Sequence, residues 1–131
     1  MASILVIEDH VVFGKALVRL LTEKANVEVL GVVRSAEEAL EKLPSLNVDL
    51  ILVDVSLPTM NGIQLVNEIH KQYPNLSCLM LSGHLTPFYV QRSLEAGARG
   101  YVLKDDIPGV LEGVERVLDG EIYVSTALRN E

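Results

Sequence analysis

The sequence predicts an open, doubly wound parallel α/β sheet in three layers, on three observations. Apolar runs rich in Ile, Leu and Val recur five times along the chain. Between them lie segments whose apolar residues repeat at helical spacing. Four of the five runs end abruptly in a polar or charged side chain, as expected of a strand buried on both faces that reaches a crevice at its C-terminal end. Crossovers between parallel strands are right-handed and both faces need covering, so five βα units form one such sheet, with ligands beyond its C-terminal edge.

Strands are expected at residues 3–7, 27–33, 49–53, 77–81 and 99–103. The first ends in Glu8 and Asp9, after which Phe13, Leu17, Leu20 and Leu21 share one helix face. The second ends near Val33 and Arg34 with no obvious ligand, which suits an edge strand. Ser35 and Glu38 then make a capping-box pattern before Ala36, Ala39, Leu40 and Leu43. The third delivers Asp54, and Pro58 and Gly62 shape the LPTMNG turn behind it. The fourth delivers Ser82 with Gly83 beside it; Thr86 and Pro87 read as N-cap and first-turn proline, and Gly97 as the stop of that helix. The fifth ends in Lys104, and Val110, Leu111, Val114, Val117 and Leu118 restore the helical spacing before Gly120.

At 131 residues, 49% hydrophobic and 22% charged, the chain fits one domain with an adequate core. A net charge of −7 argues against non-specific nucleic-acid binding by this segment, because phosphate neutralisation needs a basic face. The single cysteine, Cys78, lies in LSCLMLS and reads as a buried small hydrophobe in a reducing compartment. The N-terminus lacks a basic n-region, and no apolar run approaches about 18 residues. The chain is therefore expected to be soluble and cytoplasmic, with no membrane partner. His10, His70 and His84 look too dispersed for a zinc site. Gly14 and Lys15 make no P-loop, and Gly97 and Gly100 no dinucleotide fingerprint.

Glu8, Asp9, Asp54 and Lys104 are thus expected at one rim. Two carboxylates roughly 4 Å apart repel by about 4 kcal/mol at an effective dielectric near 20, so a cation belongs there. Each residue alone has a plainer explanation. A strand-end Asp makes an Asx-turn, a lone Lys is solvated, and Ser82 is a turn serine. For Glu8 and Asp9 by themselves, an acidic helix start weighs about as much as a ligand pair. Arrival of four strand tips at one edge tips the balance toward a site.

SILVIEDH, LILVDVSLP and GYVLKDD together resemble the receiver domain of two-component response regulators, over essentially the whole chain. LSGH, RGYVLKDD and IPGVLEGVERVLDGEIYVS resemble in particular the receivers of LuxR-type (NarL/FixJ-like) transcription factors. The resemblance implies a flavodoxin-like, CheY-like sheet of five strands in order 2-1-3-4-5. It also implies a receiver over 1–120, with 121–131 as the start of a linker to a helix-turn-helix domain; the chain is expected to be either a piece of a longer regulator, the favoured reading, or a single-domain receiver.

By the same resemblance Asp54 is the phosphoacceptor. Mg²⁺ is held by Asp9, Asp54 and the backbone carbonyl of Ser56, with Glu8 acting through water. Lys104 pairs first with Asp54 and then with the phosphoryl oxygens, and Ser82 and Gly83 receive the phosphate. Ser82 and Tyr101 form the switch pair, and Ser56 and His84 modulate hydrolysis of the acyl phosphate. The partners implied are a sensor histidine kinase or phosphotransfer protein, a second copy on phosphorylation, and DNA only through the C-terminal domain. The output face is the fourth helix, fifth strand and fifth helix. No enzymatic turnover is implied beyond self-phosphorylation and slow autodephosphorylation.

Lys104 precedes Asp105 where many receivers carry proline, a form common in the LuxR-like subgroup. Two alternatives compete. A haloacid-dehalogenase-type phosphatase needs a second Asp two residues after the nucleophile, and Ser56 stands there. A phosphorylation-independent binding module of the same fold would lose acid-pocket or lysine residues, and all are present.

Overall fold

The computed structural model of the chain describes residues 1–83 and 86–129. The larger elements are β1 (Ala2–Ile7), α1 (Val11–Lys24), β2 (Val27–Val33), α2 (Ala36–Lys42), β3 (Leu50–Asp54), α3 (Gly62–Gln72), β4 (Ser77–Ser82), α4 (Pro87–Ala96), β5 (Gly100–Leu103), α5 (Ile107–Leu118) and β6 (Tyr123–Val124). All neighbouring strands pair in parallel, in the order β2-β1-β3-β4-β5-β6. Every C-terminal strand end therefore faces the same edge, and β2, which carries no ligand candidate, lies at the margin as expected.

The expectation of five strands needs correction. Within the stretch read as the start of a linker, Tyr123 and Val124 pair with Gly100 and Tyr101 and add a sixth strand. Ser125 N–H donates to Tyr101 O at 2.9 Å, and Ser125 Oγ accepts from Leu103 N–H at 3.0 Å. A strand of two residues shows no alternation from which it could be read. It forms because β5 would otherwise present open backbone groups.

Strict alternation along the strands separates two cores. Ile4, Val6, Leu50, Leu52, Leu79, Leu81 and Val102 pack with α1 and α5 through Leu17, Leu21, Val110, Val114 and Val117. Leu5, Ile7, Ile51, Val53, Cys78, Met80 and Tyr101 pack on the other face with Ala36, Ala39, Leu65, Val66 and Ile69 of α2 and α3 and with Val90 of α4. Each fully buried aliphatic side chain contributes roughly 1.5–3 kcal/mol. A one-residue slip of an edge strand would turn its inner set outward, so burial fixes the register that brings the strand tips level.

Helix ends follow the sequence signals with two refinements. Ser35 Oγ accepts from Glu38 N–H, but the Glu38 carboxylate accepts from Arg34 N–H, one residue before the expected box position. Thr86 occupies the N-cap of α4 without a side-chain capping bond, and Pro87 stands in the first turn. A complete reciprocal capping box, not anticipated, joins Asn61 and Gln64 at the start of α3. Gly97 ends α4 in the left-handed region at φ +113°, with the His70 ring where a Cβ would sit. No helix among the described residues is long and apolar enough to cross a membrane.

Candidate functional site

β1, β3 and β5 deliver Glu8, Asp54 and Lys104 to one point. Glu8 leaves the end of β1 with its N–H donating to Val33 O at 2.9 Å, and its side chain is 0% exposed. The extra methylene relative to aspartate lets its carboxylate fold back. Oε2 accepts from His10 N–H at 2.9 Å, and Oε1 lies 2.7 Å from Lys104 Nζ as an ion pair rather than an aligned hydrogen bond. Asp54, with 1% of its side chain exposed, accepts from Ser56 N–H at 2.9 Å on Oδ1 and from Lys104 Nζ at 3.1 Å on Oδ2.

Lys104 is fixed from several sides. Its backbone N–H donates to Ser82 O at 2.8 Å, tying the tips of β5 and β4. Its Nζ stands 4.7 Å from the Phe13 ring centroid, a cation–π contact that holds the ammonium over α1. Asp9 is partly exposed, yet its Oδ1 is sealed from solvent and accepts no hydrogen bond. A buried carboxylate oxygen with no donor is short of positive charge.

The loop behind Asp54 is drawn against β3. Gly62 N–H donates to Val55 O at 2.9 Å, and a Cβ at Gly62 would collide with the carbonyl oxygen of Asp54. Only glycine lets α3 begin so close to the strand end. Thr59, in the same loop, holds a left-handed φ of 65° that disfavours a β-branched side chain.

Burial raises the Asp54 carboxyl, as does the neighbouring Glu8 charge, and together they outweigh the Ser56 N–H and Lys104. Burial also works to raise Glu8, but Lys104 and the His10 N–H and imidazole overcome it, and Glu8 lies below the usual carboxylate range. The pocket thus shifts the two carboxyls in opposite directions, Asp54 up and Glu8 down. Ionised, the two carboxylates share one ammonium, and Asp9 adds a third negative charge. One oxygen or nitrogen from each of Glu8, Asp9, His10 and Asp54 lies within 4.8 Å of the others.

Ser82 is buried at the tip of β4, one strand from Asp54. Beside it, a Cβ at Gly83 would meet nothing among the described residues within 4 Å. Tyr101 is fully buried in the core shared with α2, α3 and α4, and burial pushes its phenol up. Ser56 is exposed at the rim. His84 lies outside the described residues.

The structure thus brings together Glu8, Asp9, Asp54 and Lys104 and sets Ser56 and Ser82 at their border. His10 was set aside with the dispersed histidines, but it stands 63% exposed with Nδ1 2.9 Å from Glu8 Oε2. Its place directly after Asp9, at the tip of a strand, was the available signal. In the sequence Phe13 reads only as an apolar position on the α1 face.

Residues 4–115 match the response regulator receiver domain family, and the chain belongs to it. It is 34% identical to the transcriptional regulatory protein DegU of Brevibacillus brevis over 93% of this chain and 52% of that protein. It is 31% identical to the nitrate/nitrite response regulator protein NarL of Escherichia coli K12 over 97% of this chain and 59% of that protein. The chain therefore spans between half and three-fifths of these two curated relatives. Among solved structures, a two-component response regulator of the LuxR family from Aurantimonas sp. SI85-9A1 superposes with a TM-score of 0.93 at 25% identity, covering 98% of this chain and 92% of that one. The chain is a receiver domain homologous to those of LuxR/NarL-type response regulators.

Proposed function

We propose that Asp54 accepts a phosphoryl group from a histidine kinase or phosphotransfer protein, and that the resulting change of shape controls an output. The single observation that supports this most is the triple contact at the strand tips: a buried Asp54 carboxylate whose only nearby ammonium, among the described residues, is shared with Glu8.

The donor set fits Mg²⁺, which takes hard oxygen ligands and is usually bound through one or two carboxylates. Asp9, with its unsatisfied Oδ1, and Asp54 would hold it directly, with the Ser56 carbonyl, while Glu8 adds charge through water. When bound, the ion supplies charge neutralisation at the transferring phosphoryl oxygens. The Asp54 oxygen attacks phosphorus in line; the new O–P bond forms as the N–P bond of the donor phosphohistidine breaks. Lys104 turns its ammonium from the free carboxylate to the phosphoryl oxygens. Ser82 donates its hydroxyl to one of them, and Gly83 lies beside the phosphate.

Reset is hydrolysis of the acyl phosphate by an in-line water, modulated by Ser56 and His84. The switch couples Ser82 to Tyr101, which is fully buried in the core that Val90 of α4 packs against. Movement of the Ser82 hydroxyl toward phosphate alters the packing around that ring. The output is transcriptional, through an effector domain reached from 121–131, with a second copy as partner, in the cytoplasm. The names and lengths of the curated relatives support this part.

Incubation of the chain with Mg²⁺ and acetyl phosphate, followed by intact mass measurement, tests the reading. The parent gains one phosphoryl group and Asp54→Asn gains none. Labelling of both, or of neither, contradicts it.

A further inference from the structure

The stretch after α5 is fastened along β5, the strand that carries both Tyr101 and the approach to Lys104. Tyr123 N–H donates to Arg99 O at 3.1 Å, Ser125 N–H to Tyr101 O at 2.9 Å, and Leu103 N–H to Ser125 Oγ at 3.0 Å. Ser125 is fully buried at this clasp. Beyond it the chain folds back in a short 3₁₀ turn over Thr126–Leu128, where Leu128 N–H donates to Ser125 O at 2.9 Å and Arg129 Nε to Val124 O at 2.9 Å.

The side chains of this stretch straddle the sheet. Tyr123 packs into the core beneath α1 and α5, whereas Val124 and Leu128 pack into the opposite core, which holds Tyr101. Val124 is the register partner of Tyr101, so it closes the flank of that residue away from β4. Between this stretch and α4 runs a groove of about 870 Å³, lined in part by Val90, Leu94, Val124, Ala127 and Leu128. It offers room for a ring that leaves the core. On its other side Tyr101 meets the switch hydroxyl: burial raises its phenol, and the Ser82 hydroxyl beside it works to lower it.

We propose that residues 121–129 form a latch that holds Tyr101 in its buried position, and that the closed latch and the phosphorylated acceptor stabilise each other. The inference rests on reading Asp54 as the acceptor and Ser82 as a donor to its phosphoryl group. A Ser82 hydroxyl drawn toward phosphate vacates space against the buried ring, so phosphorylation favours the ring where the latch keeps it. Whatever factor phosphorylation adds to latch closure, closure adds to affinity for a phosphoryl mimic. A two-residue strand at a sheet edge is also the kind of element that opens locally while the rest of the domain stays folded.

Amide exchange of the full chain with Mg²⁺, with and without beryllofluoride as a stable phosphoryl mimic, reads the latch directly. Exchange at Ser125 and Leu128 should slow at least about fivefold when the mimic binds, the lower end of usual coupling between sites. Ser125→Ala and Leu128→Ala, which stand outside the acceptor pocket, should open the latch without the mimic. Tetranitromethane then nitrates Tyr101, which it spares in the parent while modifying the part-exposed Tyr89. Both variants should hold the mimic at least about fivefold more weakly. Unchanged exchange at Ser125 and Leu128 in a parent carrying the mimic overturns the inference, as does a Tyr101 that stays protected in both variants. Either result leaves the acceptor reading standing if acetyl phosphate still adds one phosphoryl group to the parent. A parent that takes up neither the mimic nor a phosphoryl group sinks both. Circular dichroism checks that the variants fold, and exchange in the parent tests the latch without them.

Discussion

Glu8 Oε1 lies 2.7 Å from Lys104 Nζ, closer than the 3.1 Å that separates the same ammonium from Asp54 Oδ2. The lysine is thus shared, and its nearer partner is the carboxylate that accepts no phosphoryl group in the proposed reaction. Glu8 acts as a rest for the cation. It keeps Lys104 at the mouth of the pocket, from which the ammonium would turn to a phosphoryl oxygen in the proposed reaction.

Removal of that cation should leave two desolvated carboxylates unpaired. Lys104→Met is expected to lower stability at neutral pH by about 3–5 kcal/mol, the usual range for breaking a buried ion pair from one side. Urea unfolding measures it. A loss under about 1 kcal/mol would mean that solvent or rearrangement already screens Glu8 and Asp54.

Substitution of the acceptor should act in the opposite sense. Burial and Glu8 raise the Asp54 carboxyl above its ordinary 3.8, so folding favours the protonated form. Stability from such a group is complete below the unfolded value and is lost as pH rises through the folded one. Asp54→Asn, which mimics the protonated state, is therefore more stable than the parent at neutral pH, with the gain fading as pH falls through the raised folded value and absent below the ordinary 3.8. Glu8, held below its ordinary 4.5, contributes stability above that value that is lost as pH falls through its folded pKa, so Glu8→Gln destabilises at neutral pH. Denaturant titrations across this range check both signs.

Gly62→Ala places a Cβ against the Asp54 carbonyl. Relief requires α3 to move away from β3, at an expected stability loss of about 1–3 kcal/mol. The acceptor moves with its strand end, and a displacement near 1 Å can slow an oriented reaction by about a hundredfold. Phosphoryl uptake timed by intact mass, alongside urea unfolding, should show both effects. An unchanged uptake rate would separate the loop from acceptor placement.

Ser125→Ala deprives Leu103 N–H of its acceptor one residue before Lys104. A buried donor left unsatisfied costs about 1–3 kcal/mol. Thermal or urea unfolding should register that loss, and hydrogen exchange at Leu103 should accelerate. No change would mean that the segment after α5 adds nothing to the domain.

The strand-tip residues were legible because a parallel strand buried on both faces must be apolar until it ends. The charge after Ile7, Asp54 itself, and Lys104 after Leu103 mark those ends without ambiguity. β6 was illegible: two residues carry no period, and what holds them is the edge of β5, which only the folded sheet presents. The Asn61–Gln64 box had a readable pattern but was overshadowed by Pro58 and Gly62 in the same turn. His10 was missed for a different reason. Spacing between histidines along the chain does not reveal it, because its partners arrive from the ends of β1 and β3.

The measurement that bears most directly on the central claim locates the phosphoryl group. Borohydride reduces an aspartyl phosphate to homoserine, which peptide mass spectrometry can place. After treatment with Mg²⁺ and acetyl phosphate, homoserine is predicted at position 54 and nowhere else. Homoserine at Asp9, or no reduced residue despite a phosphorylated chain, would contradict the assignment of Asp54 as the acceptor.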